Sequence, residues 1–181
     1  MLIERVKIIS NSEIAHNIWE MFFDAPKIIG EYKGAGQFIN ILVEESWNHP
    51  LRRPMSIASV QDEKVSIIYK IFGDVTKKLS KKESGDNIEI LGPLGNTFTN
   101  WNKESYPILV GGGVGLPPML NLKSECEFNE IDHSIIIGAR NSSEHFINHA
   151  PENNIILTTD DGSLGESGTV MNPIDRIIKE K

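Results

Sequence analysis

The 181-residue sequence predicts a six-stranded antiparallel β barrel over residues 1–100 followed by a parallel-sheet α/β half over 106–181. Three observations predict it. The first half holds six short apolar or alternating stretches bounded by turn clusters such as Lys33-Gly34-Ala35-Gly36, Gln61-Asp62-Glu63 and Ser84-Gly85-Asp86. Regularly spaced short strands of this kind indicate an all-β barrel or sandwich. The second half changes period, since an apolar run ends in Gly111-Gly112-Gly113 and strands then alternate with helical stretches. Such alternation requires a parallel sheet with right-handed crossovers. A polar stretch over 99–106, around Trp101, separates the two patterns.

The elements follow in order. Strands are expected over 2–10, where Ile3, Val6, Ile8 and Ile9 supply β-branched bulk, and over 18–23, 37–43, 55–60, 64–72 and 87–91. A short polar helix is expected over 76–82, between the last two. The α/β half opens with a strand over 107–110, and a helix starts at Pro117 or Pro118, since proline is tolerated in a first turn. A second strand over 133–137 ends at Gly138-Ala139-Arg140, and Ser142 or Ser143 caps a short helix through Phe146 and Ile147. A third strand over 154–158 ends at Asp160-Asp161-Gly162, and an amphipathic helix spans 169–181.

Composition narrows the function classes. With 39% hydrophobic and 24% charged residues the chain can build a core, and a net charge of −7 argues against nucleic acid, whose phosphates need a basic footprint. Lys77, Lys78, Lys81 and Lys82 read as a solvated face. Cys126 is the single cysteine, so no disulfide forms within the chain, which fits a reducing compartment. One thiolate cannot hold an iron–sulfur cluster, and the flanking Glu125 and Glu127 disfavour a reactive thiol. His145 and His149 are spaced i,i+4 without an HExxH pattern and read as surface or capping residues. The N-terminus shows no apolar leader, and no apolar run nears the roughly 20 residues of a membrane span. The expectation is a cytoplasmic protein without membrane or nucleic-acid partners.

The candidate chemistry lies in Arg52-Arg53-Pro54-Met55-Ser56, with Leu91-Gly92-Pro93-Leu94-Gly95-Asn96 further on. A guanidinium pairs with pyrophosphate in a bidentate fork, a proline fixes φ, and a seryl hydroxyl can both donate and accept. Alone, the first segment reads equally well as a strand with a basic start. Gly111–Gly115 looks like a nucleotide loop at a strand's carboxyl end, where open α/β sheets bind ligands. It departs from the dinucleotide fingerprint, because Pro118 takes the third glycine position, and it lacks the Gly-Lys-Ser/Thr of a P-loop. Without a ligand it is a tight strand-to-helix turn. Asp160-Asp161-Gly162 reads as a turn.

In order along the chain stand Arg52-Arg53-Pro54-Met55-Ser56-Ile57, Ile68-Tyr69-Lys70, Gly73-Asp74-Val75-Thr76, Gly92-Pro93-Leu94-Gly95-Asn96-Thr97-Phe98, Gly111–Pro118 and Thr159-Asp160-Asp161-Gly162-Ser163-Leu164-Gly165. This order resembles the ferredoxin–NADP reductase superfamily, and within it the electron-transfer subunits of NAD-linked dihydroorotate dehydrogenase. The resemblance covers nearly the whole chain. It implies FAD in the barrel, NAD(H) as electron partner of the α/β half, and a catalytic dihydroorotate dehydrogenase subunit as protein partner, in pyrimidine biosynthesis. Position by position, it implies that Arg53 takes the pyrophosphate, that Pro54, Met55 and Ser56 line the flavin, and that Ser56 faces the isoalloxazine near N5. Ile68, Tyr69 and Lys70 would flank the flavin by backbone and ring, and Val75 and Thr76 would meet a phosphate. Gly111, Gly112, Gly113 and Gly115 would form the nicotinamide-nucleotide loop.

Three features depart from the family. Val75 stands where relatives carry glycine, and a β-branched residue restricts the backbone's approach to phosphate. Lys70 replaces an arginine, keeping the charge without the planar fork. Relatives also continue, past the segment matching Thr159–Gly165, with a Cys-Gly-Pro strand and a [2Fe–2S] cysteine cluster. Neither is present in these 181 residues, so the α/β half is expected to be truncated, slow with NADH by itself, and unable to supply a [2Fe–2S] centre. Two other readings share the motifs: a related reductase subunit serving a ferredoxin, hydrogenase or sulfur-reducing partner, and a non-catalytic flavin-binding or assembly subunit.

Overall fold

The computed structural model describes residues 2–44, 46–47, 49–98 and 104–180. The expected boundary over 99–106 falls largely outside them. The first half is a closed antiparallel barrel of β1 (Leu2–Ala15), β2 (Ile18–Asp24), β3 (Phe38–Leu42), β4 (Arg53–Gln61), β5 (Lys64–Lys70) and β6 (Asn87–Leu94), in the order β1-β2-β5-β4-β3-β6. Strand alternation builds it. Val6 and Ile8, Met21 and Phe23, Ile39 and Ile41, Val65 and Ile67, and Ile88 and Ile90 all turn into one buried cluster.

Two helices close the barrel. α1 (Pro26–Glu31) starts with a proline and has no side-chain cap of its own. The buried Glu4 carboxylate of β1 replaces that cap, accepting the Ile28 N–H at 3.0 Å and the Lys27 N–H at 3.3 Å. α1 is absent from the sequence expectation, because six residues with one buried side chain give no helical period. α2 (Gly73–Leu79) begins earlier than the expected 76–82 and buries Val75 and Leu79. β1 runs well past residue 10, bent by a register shift between Ile8 and Ser10.

The second half is a parallel sheet of β7 (Ile108–Gly112), β8 (Ser134–Ala139), β9 (Ile155–Thr159) and the short β10 (Glu166–Ser167), ordered β10-β9-β8-β7. α3 (Leu116–Phe128) packs on one face through Leu116, Leu122 and Cys126. α4 (Met171–Glu180) packs on the other, with Ile177 against Ile136 and Ile156. The fourth strand was not expected, since two residues carry no periodicity. The expected helix from Ser142 is a single 3-10 turn, Ser142–Glu144.

The halves share an interface. Ile18, Ala58 and Ile68 on the outer barrel wall meet Leu120 and Phe146. Buried Asn121 of α3 donates to the Ile57 carbonyl at 3.1 Å and to the Tyr32 hydroxyl at 2.7 Å. Glu125 accepts the Ala35 N–H at 2.5 Å, and the His16 N–H donates to the Ser143 carbonyl at 3.0 Å. Among the described residues no helix is long and apolar enough to cross a membrane.

Candidate functional site: two clefts that share a lysine

Strand pairing sets β4 beside β5, with Ile57 opposite Ile67. This brings Pro54, Met55 and Ser56 together with Ile68, Tyr69 and Lys70 around a cleft of about 440 Å³. Thr76 of α2 and Gly36 and Phe38 of the β3 approach complete the barrel side, and Val114 projects from the glycine loop of the other half. The wall is mixed. Met55, Ile68, Phe38 and Val114 offer flat apolar contact, and Ser56, Thr76 and Lys70 offer polar groups at the margin. That is the pattern of a small-molecule site.

Not every expected residue reaches this cleft. Arg53 does not line it: the guanidinium donates to the carbonyls of Leu51 at 3.1 Å and Arg52 at 3.4 Å. Among the described residues no carboxylate pairs with Arg53, whereas Arg52 pairs with Glu89 of β6. Val75 is 7% exposed and packs into the barrel core, because the start of α2 turns that side chain inward. Tyr69 borders the cleft, but its side chain turns into the barrel, where the hydroxyl donates to Asn11 Oδ1 at 2.9 Å. Burial pushes this phenol's pKa up. The expectation of a Tyr69 ring beside a flavin does not match that orientation, which follows from the same alternation that buries Ile67. The Thr76 hydroxyl accepts the Phe72 N–H at 2.6 Å and donates to the Gly73 carbonyl at 3.3 Å, closing the first turn of α2.

A second cleft of about 410 Å³ opens at the carboxyl ends of β7, β8 and β9. Gly112 and Gly113 line it, together with Gly138, Arg140, Thr158 and Asp160. Gly111 and Gly115 do not. A Cβ at Gly111 would stand 3.0 Å from Leu116 Cα, so this glycine lets α3 start close against β7. Gly113 has φ +54, the left-handed conformation the turn into α3 needs. Thr158 is 1% exposed, and its hydroxyl has no hydrogen-bond partner among the described residues.

Lys70 lines both clefts. Its ammonium stands 2.8 Å from Glu144 Oε1, and Arg140 Nε donates to the same oxygen at 2.9 Å. Hydrogen bonds from these two cations hold the Glu144 carboxyl well below the usual carboxylate range, at about 2. Sequence reasoning missed Arg140, Glu144, Thr158 and Asp160 as site residues. The available signal was positional for three of them: Arg140, Thr158 and Asp160 stand at or just past the carboxyl end of a parallel strand, whereas Glu144 lies in the 3-10 turn beyond β8.

No family model matches the chain. Curated relatives do. The electron transfer subunit of dihydroorotate dehydrogenase B (NAD(+)) from Bacillus pumilus is 36% identical over 174 residues, covering 93% of this chain and 67% of the relative. The chain belongs to that family. The Fusobacterium nucleatum member is 32% identical over 186 residues, covering 99% of this chain and 71% of its own. Among solved structures, an NADH-dependent reduced ferredoxin-NADP oxidoreductase superposes with a TM-score of 0.82 at 24% identity, over 97% of this chain and 64% of that one. A ferredoxin NADP+ reductase from Neisseria gonorrhoeae superposes with a TM-score of 0.73 at 15% identity, over 98% of this chain and 78% of that one. At such identities these two speak for the fold.

Proposed function

We propose that this chain is the FAD-binding electron transfer subunit of a two-component dihydroorotate dehydrogenase, passing electrons from a catalytic partner subunit to NAD in pyrimidine biosynthesis. In this reading residues 1–100 form the flavin domain and 106–181 the nicotinamide-nucleotide domain. The observation that carries it is the meeting of three separated segments, 54–56, 68–70 and Val114, on one cleft in a chain of this family.

The cleft's residues fit the flavin. Met55, Ile68 and Val114 form apolar walls for a planar ring, Ser56 supplies a hydroxyl for a ring heteroatom, and Lys70 closes the margin toward the second cleft. Arg53 is held only by main-chain carbonyls among the described residues, so it can turn toward a diphosphate without breaking an ion pair. Bound FAD supplies the hydride and electron chemistry, and the protein supplies binding and orientation. No side chain needs to act as acid or base in that exchange. The second cleft fits a dinucleotide: Gly112 and Gly113 keep its floor open, and Arg140 supplies charge.

A visible spectrum of the purified or reconstituted chain tests the reading. Two flavin bands are expected, with cofactor released by heat running as FAD. FMN alone, or no flavin after reconstitution, would refute it.

A further inference from the structure

We propose that Glu144 is a positioning residue that assembles a two-cation clamp for the diphosphate of a nucleotide in the second cleft. The proposal rests on the reading of that cleft as a nucleotide site. The two cations come from different halves of the molecule: Lys70 ends β5 of the barrel, and Arg140 follows β8 of the parallel sheet. Both bond one oxygen, Glu144 Oε1, at 2.8 Å for Lys70 Nζ and 2.9 Å for Arg140 Nε. The two positive groups therefore stand within about 6 Å of each other, a separation at which like charges repel.

The carboxylate between them offsets that repulsion. It is itself well fixed. Its side chain is 8% exposed, and it sits in the 3-10 turn Ser142–Glu144, whose Ser143 carbonyl accepts the His16 N–H from the barrel at 3.0 Å. Asn141 caps the turn through Ser143 N–H at 3.1 Å. The triad keeps a net positive charge, which Asp160 on the same cleft balances, so placement of the two cations matters more than the cleft's total charge. Lys70, Arg140 and Glu144 all line the cleft that Gly112 and Gly113 floor. Lys70 is the last residue of its strand. Among the described residues its ammonium bonds to Glu144, across the interface.

The sign of a mutational effect separates positioning from simple charge. Glu144→Gln removes a negative charge beside an anion site. If charge alone mattered, ADP would bind more tightly. If Glu144 positions the clamp, ADP binds less tightly although the site has become more positive. The experiment titrates ADP and adenosine by calorimetry into the 181-residue chain with FAD bound, so that the first cleft is filled, comparing wild type, Glu144→Gln, Glu144→Asp and Arg140→Gln, with circular dichroism and melting as checks on folding. The expected result is ADP affinity lowered about tenfold in Glu144→Gln, largely kept in Glu144→Asp, and adenosine affinity unchanged throughout. Arg140 is 71% exposed in its side chain, so Arg140→Gln carries the test if Glu144→Gln fails to fold, and it too is expected to weaken ADP and not adenosine. ADP binding that is unchanged or tighter in Glu144→Gln, or unchanged in Arg140→Gln, overturns the clamp while leaving the nucleotide reading standing. A wild-type chain that binds neither ADP nor NAD+ overturns both.

Discussion

Arg52 and Arg53 are neighbours in sequence with different tasks in the fold. Arg52, just before β4, crosses to Glu89 of β6. This pair is only partly buried, so Arg52→Ala is expected to lower stability by no more than about 1 kcal/mol and to leave flavin binding near wild type. Arg53 joins no such pair among the described residues. Arg53→Ala should leave the melting temperature nearly unchanged while weakening FAD by about 1.5–3 kcal/mol, the value of a charge-assisted contact. Flavin fluorescence titration of both variants checks this, and equal retention of FAD would remove Arg53 from the site. The sequence names both arginines but not which one is committed, because that depends on Glu89, distant in sequence and adjacent only once the barrel closes.

At the scale of elements, the connection from β9 to β10 depends on one glycine. Gly165 has φ +68, and a Cβ there would lie 2.2 Å from the Leu157 carbonyl oxygen. Neither the conformation nor the space admits a side chain. Gly165→Ala is expected to destabilise the chain by about 2 kcal/mol or more, read as a lower urea midpoint with an unchanged slope. The segment Thr159–Gly165 thus has a structural reason for its glycine apart from any ligand. The same scale shows where strand period suffices and where it fails. Ile39 and Ile41, or Val65 and Ile67, announce their strands and their inward faces by alternation alone. α1 and β10 are too short for a period, and they exist because Glu4 caps the one and β9 pairs with the other.

For the whole molecule, the contact between Lys70 and Glu144 ties barrel to sheet and makes that tie sensitive to acid. The Glu144 carboxyl is lowered from 4.5 to about 2 by its bonds to Arg140 and Lys70. A group whose pKa is depressed by folding stabilises the fold above its unfolded pKa and loses that contribution as pH falls through the folded one. The stability difference between wild type and Glu144→Gln is therefore expected to be constant above about pH 5 and to shrink between 4.5 and about 2. Urea unfolding of both proteins across that range measures it, and a difference that stays flat down to pH 2 would show that the carboxylate is not held by these cations.

By itself the sequence determined the order of the architecture, barrel and then parallel sheet, because side-chain period and turn residues act locally and are written in consecutive positions. The motifs' resemblance to the family also implied one site for Pro54, Met55, Ser56, Ile68, Lys70 and Thr76, and the pairing of β4 with β5, with α2 following directly, is what brings them together. Only the tertiary structure decided that Val75 and the Tyr69 ring face the core, that Val114 reaches the barrel's cleft, and that Glu144 draws Lys70 and Arg140 to a single oxygen. Those outcomes depend on how α3 packs against β4 and how the halves seat on Ile18, Ala58 and Ile68. Contacts between residues some seventy positions apart are set by packing, and no local period encodes them.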